Sequence, residues 1–182
     1  MPADFPIVFI GGPSGAGKEY VSRHLAEAKG LEWLELDTPG RDAVVDLGLR
    51  NEWASIWQGK TAPLFAELRS RAAANGKTGV IVSLPGNCLF PVPVAGAIEK
   101  AGGIWVFLWG TREQCLKAFL KREEETGRGL DEAHWRRHND HVYEMAEAGR
   151  RSGHFVQTFD EGGKRRLVEA ICADIEALVK AS

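Results

Sequence analysis

Short, almost continuous apolar runs recur along the chain. Longer stretches separate them, in which apolar residues return every three or four positions. The first run, Ile7-Val8-Phe9-Ile10, ends at Gly11-Gly12 and predicts a buried strand over 5–11. From 17 to 29 the spacing is helical, with Val21, Leu25 and Ala28 on one face and Gly30 closing the helix. Trp33-Leu34-Glu35-Leu36-Asp37 reads as a second strand, stopped by Thr38-Pro39-Gly40. Helical pieces follow over 41–75: Arg41 to about Leu49, one carrying Trp53, Ile56 and Trp57, and one carrying Leu64, Phe65 and Leu68. The run 78–84 is apolar enough for a strand covered on both faces.

Pro85-Gly86-Asn87 turns the chain, Val92 to Ala101 is a predicted helix, and Ile104 to Trp109 a fourth buried strand. Thr111 followed by Gln114 forms a capping box for a helix reaching about Glu125. Thr126-Gly127-Arg128-Gly129 interrupts the charged segment, and Asp131 starts a helix that reaches about Ala148. Phe155 to Phe159 is the last predicted strand. Lys164 to Lys180 is a closing helix with Leu167, Ile171, Ile175 and Leu178 inward.

Strands alternating with helices predict parallel pairing and an open sheet of about five strands. With helices on both faces, this is a three-layer α/β/α fold. Ligands on such sheets bind at the carboxyl ends of the strands, which singles out loops 11–18, 37–41, 83–88, 109–112 and 159–163. The length of 182 residues suits one domain over 1–182.

Composition then removes several classes. Apolar residues at 44% and charged residues at 26% describe an ordinary globule. A net charge of −2 gives no reason to expect nucleic acid or an anionic membrane as partner. No apolar run approaches a bilayer span, and the start of the chain lacks the basic segment of a secretory signal. Cys88, Cys115 and Cys172 are scattered, as expected of reduced thiols in a cytoplasmic protein.

The chemistry concentrates in Gly12-Pro13-Ser14-Gly15-Ala16-Gly17-Lys18, directly after the first strand. Its spacing, G-x-x-x-x-G-K, is that of a phosphate-binding loop. Glycines let the backbone curl into a nest of inward N–H groups, the following helix adds its positive end, and Lys18 adds a full charge. Glu19 stands where Ser or Thr normally follows the lysine, and Tyr20 comes next. The Glu19 carboxylate either joins a Mg²⁺ ion directly or through water, or repels the phosphates. Asp37, at the end of the second strand, is either a proton acceptor for a substrate hydroxyl or a plain turn residue. Asp131, His134, His138 and His141 share a helical face and suit either a metal site or a solvated helix. Trp53 and Trp57 suit a helix face packed on the core better than a stacking platform. Tyr143 and Met145 read as packing residues.

With these elements placed, the chain resembles the small P-loop kinases, and within them the shikimate kinase and gluconate kinase group. That resemblance implies ATP and Mg²⁺, with Gly12 to Glu19 around the phosphates and Glu19 and Asp37 at the metal. Lys18, Asp37, Arg122 and Arg128 take the catalytic places, the two arginines on a lid over about 122–137. It implies an acceptor region over about 38–75, with Arg41, Arg50, Arg69 and Asn87 as candidate acceptor contacts. Several positions depart from shikimate kinases: Pro39 replaces a second aspartate, and Leu84-Pro85-Gly86-Asn87 replaces a Gly-rich loop. Asn139, four residues before Tyr143, replaces a substrate arginine. Arg50-Asn51-Glu52-Trp53 resembles the Arg-x-x-Trp of gluconate kinases.

The expectation is therefore an ATP-dependent kinase for a hydroxyl of a small polar metabolite, a monomer or homodimer in the cytoplasm. Guanylate kinases share Gly-Pro-Ser-Gly-Ala-Gly-Lys, which keeps a nucleotide or sugar-phosphate acceptor open. Glu19, Pro39 and Asn139 keep open an ATP-binding regulator that transfers nothing.

Overall fold

A computed structural model describes residues 6–37, 42–89, 92–127, 130–149 and 154–181. Its strands are β1 (Ile7–Gly11), β2 (Glu32–Glu35), β3 (Val80–Ser83), β4 (Ile104–Trp109) and β5 (Phe155–Gln157). They form one five-stranded sheet in the order β2-β3-β1-β4-β5, every pair parallel. The described helices are α1 (Lys18–Lys29), α2 (Ala43–Asp46), α3 (Arg50–Ile56) and α4 (Ala62–Ala74), then α5 (Val92–Lys100), α6 (Arg112–Glu125), α7 (Glu132–Gly149) and α8 (Val168–Ala181).

The apolar runs are explained by what covers the sheet. Side chains alternate along a strand, so Ile7 and Phe9 of β1 face one way and Val8 and Ile10 the other. Ile7, Phe9, Val80, Val82 and Phe107 pack with Leu64 and Leu68 of α4, Ile98 of α5 and Val142 of α7. Val8, Ile10, Ile81, Val106 and Leu108 pack with Val21 and Leu25 of α1 and Ile171 and Ile175 of α8. Both faces are dry, and the alternation is hidden because inward and outward positions are equally apolar.

Local signals carry through at several ends. Thr111 and Gln114 form the reciprocal capping box of α6, with the Thr111 hydroxyl accepting from the Gln114 N–H. Asp131 accepts from the His134 N–H at the start of α7. Gly30, at φ 66°, ends α1 by donating its N–H to carbonyls of the last turn.

Other expectations need correction. Ala26, not Ala28, is the inward alanine of α1, because the buried set runs Val21, Ser22, Leu25, Ala26 at helical spacing. Leu167 is 76% exposed since α8 begins one residue later, and Val168 takes the inward place. Trp57 caps α3 outside its last turn and is 51% exposed, so only Trp53 packs on the core. Met145 and Tyr143 do pack there. Strand β5 is shorter than expected: Phe159 instead pairs with Arg165 in an isolated antiparallel bridge.

Candidate active site

The loop between β1 and α1 lies between the central strands and two other segments, which explains its glycines. At Gly15, where φ is +88°, an added Cβ would sit 1.9 Å from the Cys115 carbonyl oxygen. The adjoining 3-10 turn, Gly86–Cys88, also crowds it, since a Cβ on Gly86 would sit 2.5 Å from the Gly12 oxygen. Gly15→Ala is therefore expected to lower stability by more than about 2 kcal/mol, from left-handed strain plus an unrelieved backbone clash. Urea unfolding of the two chains would measure it.

Gly17 caps α1 with φ 90° and no side-chain cap bond, so the helix's first amides meet the cavity rather than a capping oxygen. Lys18 is the first residue of that helix and is 8% exposed. Its Nζ donates to the Gly12 and Pro13 carbonyls at 3.0 and 3.3 Å and pairs with Asp37 at 3.0 Å.

Beside Asp37 lies a residue that the sequence reading missed. Glu35 lines the cavity and accepts the Asp37 N–H at 2.7 Å through Oε1. Its Oε2 is buried without a hydrogen-bond partner. Burial pushes this carboxyl up to about 7, and the Asp37 charge adds to the rise. The Asp37 amide, the Lys18 charge and the neighbouring Ser83 hydroxyl oppose it. The signal was present: residues two apart in an extended segment share a face, so Glu35 travels with Asp37.

A folded-state value above the unfolded one favours folding at low pH, where both states hold the proton. That advantage is lost as pH climbs from about 4.5 to about 7, the unfolded and folded values of this carboxyl. Melting temperature should fall by a few degrees across that interval. Glu35→Gln should flatten the fall, which thermal melts at a series of pH values would check.

These groups open on a cavity of about 750 Å³, within the range of small-molecule sites. Gly12, Ser14, Gly15, Gly17, Lys18 and Glu19 form one wall, Glu35 and Asp37 another, and Asn87 and Cys88 a third. Pro13 and Ala16 are buried behind the loop. Glu19 is exposed and so is Tyr20. Arg122, Phe119, Trp135 and His138 complete the rim. Arg122 bonds the Glu123 carboxylate at 2.6 Å and lies over the Phe119 ring. Burial lowers the His138 pKa and the nearby Lys18 charge adds to this, while His134 and His141 are exposed. Burial pushes the Cys88 thiol up to about 11.

Not every candidate gathers here. Arg50 pairs loosely with Asp42 at 3.8 Å, Arg69 lies over the Phe65 ring, and neither is among the described residues lining the cavity. Arg41, Arg128 and Pro39 fall outside the described residues. Asn139, which replaces the substrate arginine of shikimate kinases, is 2% exposed and bonds both backbone groups of Ser14. Arg165, also missed, donates to the Ala16 carbonyl at 2.7 Å and the Gly15 carbonyl at 2.5 Å.

The donor set suits a Mg²⁺–polyphosphate. Main-chain amides and Lys18 meet phosphate oxygens, and Mg²⁺, which keeps several waters, needs only one or two carboxylates besides. The partnerless Glu35 oxygen beside Asp37 offers such a ligand. No cluster of three or more His, Cys, Asp or Glu able to hold a metal unaided occurs among the described residues.

No protein-family model matches the chain, and no curated protein matches it either. Solved structures do resemble it. A shikimate kinase from Acinetobacter baumannii in complex with shikimate superposes with a TM-score of 0.55 at 17% identity, covering 97% of this chain and 94% of that one. A gluconokinase from Sinorhizobium meliloti 1021 gives 0.52 at 17% identity over 97% and 93%. A shikimate kinase from Bacteroides thetaiotaomicron gives 0.53 at 14% identity over 96% and 98%. The chain shares its three-layer α/β/α fold with these kinases. No described helix is long and apolar enough to cross a membrane.

Proposed function

We propose that the chain is an ATP-dependent kinase that transfers the γ-phosphoryl group to a hydroxyl of a small polar metabolite. The observation that carries this reading is the meeting of Lys18 and the loop amides with the Glu35–Asp37 pair across one cavity. Phosphoryl transfer asks mainly for positioning and charge neutralisation, and these groups supply both. Lys18 neutralises the outer phosphates as it exchanges Asp37 and the loop carbonyls for phosphate oxygens. Asp37, 38% exposed at its side chain, orients the acceptor hydroxyl and takes its proton. Mg²⁺, held by Asp37 with Glu35 or Glu19, would draw charge off the phosphates. Arg122 swings from Glu123 toward the triphosphate as the segment over about 122–137 closes and excludes water. Asn87 meets the acceptor, and the region over about 38–75 encloses it.

The test is ADP release with and without a panel of sugars, sugar acids, sugar phosphates and nucleotides. Acceptor-dependent release supports the kinase. Release confined to sugar phosphates or nucleotides moves the acceptor to the alternative class. Tight ATP binding without transfer to any acceptor makes the chain a nucleotide-binding regulator.

A further inference from the structure

We infer that Asn139 is a positioning residue for the phosphate loop, setting the two peptide planes that flank Ser14 without touching the ligand. The inference rests on the triphosphate reading of that loop. Asn139 lies on α7, 125 residues from Ser14, and is absent from the cavity lining. Its Oδ1 accepts the Ser14 N–H at 2.9 Å and its Nδ2 donates to the Ser14 carbonyl at 3.1 Å. One donor and one acceptor fix the orientation of the side-chain amide without ambiguity.

In a planar trans peptide the C=O of one residue and the N–H of the next point in opposite directions. Holding the Ser14 N–H outward turns the Pro13 carbonyl inward, where it meets Lys18 Nζ at 3.3 Å and the Ala16 N–H at 3.1 Å. Holding the Ser14 carbonyl outward turns the Gly15 N–H the other way, toward the cavity that Gly15 lines. Arg165 treats the next two planes alike: its grip on the Gly15 and Ala16 carbonyls directs the Ala16 N–H to Pro13 and the Gly17 N–H inward. The flexible glycines thus keep a phosphate-ready shape through two side chains from distant segments. Of the two, only Asn139 is remote from the ligand.

Calorimetric titration of the full chain with inorganic tripolyphosphate and with ATP, both in EDTA, tests the assignment. Asn139→Asp keeps the shape and the acceptor for the Ser14 N–H, but its carboxylate has no donor for the Ser14 carbonyl. The expected result is a dissociation constant raised at least tenfold for both ligands, with stoichiometry still near one. A side chain that merely held the fold together would lower stoichiometry and melting temperature and leave the dissociation constant of the folded fraction alone. That outcome, or an unchanged constant, overturns the assignment.

Amide exchange in the unmodified chain gives a reading that does not depend on the variant folding. Ser14 N–H should exchange at least a hundredfold more slowly than Gly15 N–H, and comparable rates overturn the assignment. A parent chain that binds neither tripolyphosphate nor ATP brings down the triphosphate reading itself. A parent that binds both beside an unaffected variant brings down only the role of Asn139.

Discussion

Replacing Lys18 by Met should abolish acceptor-dependent ADP release and weaken ATP binding at least about a hundredfold, while the chain still folds. The side chain is almost fully buried, and its Nζ already serves two loop carbonyls and the Asp37 carboxylate. Methionine fills a similar volume, and Asp37 is open enough to solvent for water to replace its lost counter-ion. What methionine cannot replace is a mobile positive charge at the point where outer phosphates arrive. A charge-assisted hydrogen bond contributes about 1.5–3 kcal/mol, and two such bonds to phosphate oxygens account for the expected loss. Arginine would not restore function, because its planar fork does not fit a buried space shaped for a single ammonium. Equilibrium titration with ATP and a melting curve on the same samples decide the matter. Retained nucleotide affinity in a folded Lys18→Met chain would remove the phosphate-loop reading.

Much of this arrangement was legible in the residues because it is local. The strand runs, the capping box at Thr111 and the glycine loop each carry their cause within a few positions. Parallel pairing followed from alternation of elements, and the location of the cavity followed from the pairing. The errors at Ala28, Trp57 and Leu167 have another origin. A helical stripe inferred from a few apolar residues leaves its exact face open, and a shift of one or two positions turns a side chain from the core to solvent. Asn139 and Arg165 were illegible for a third reason: their partners are main-chain atoms 125 and 149 or more residues away. Backbone groups carry no sequence signature, so a side chain that bonds them looks like any surface polar residue. Resemblance marked Asn139 only as a departure from a substrate arginine, and its burial and two bonds to Ser14 attach it to the phosphate loop.

For Asp37, binding and turnover should move apart. Asp37→Asn preserves the size of the side chain and the backbone N–H that Glu35 accepts, but removes both the negative charge and the basic oxygen. Lys18 then loses a competitor 3.0 Å away, so ATP measured in EDTA should bind at least as tightly as in the parent chain. Turnover with Mg²⁺ should fall about 10²–10⁴-fold, the range expected when a positioned general base is removed. A change that lowers turnover without weakening nucleotide binding acts on the transfer step rather than on ground-state affinity. Glu35→Gln is the control that separates the two carboxylates. Burial holds the Glu35 carboxyl up to about 7, so at neutral pH it is only partly ionised. Its loss should cut turnover less than the loss of Asp37 and should leave nucleotide binding in EDTA unchanged. If Glu35→Gln instead shows the larger fall, the proton acceptor is Glu35, and Asp37 is left as the counter-ion that holds Lys18 in place.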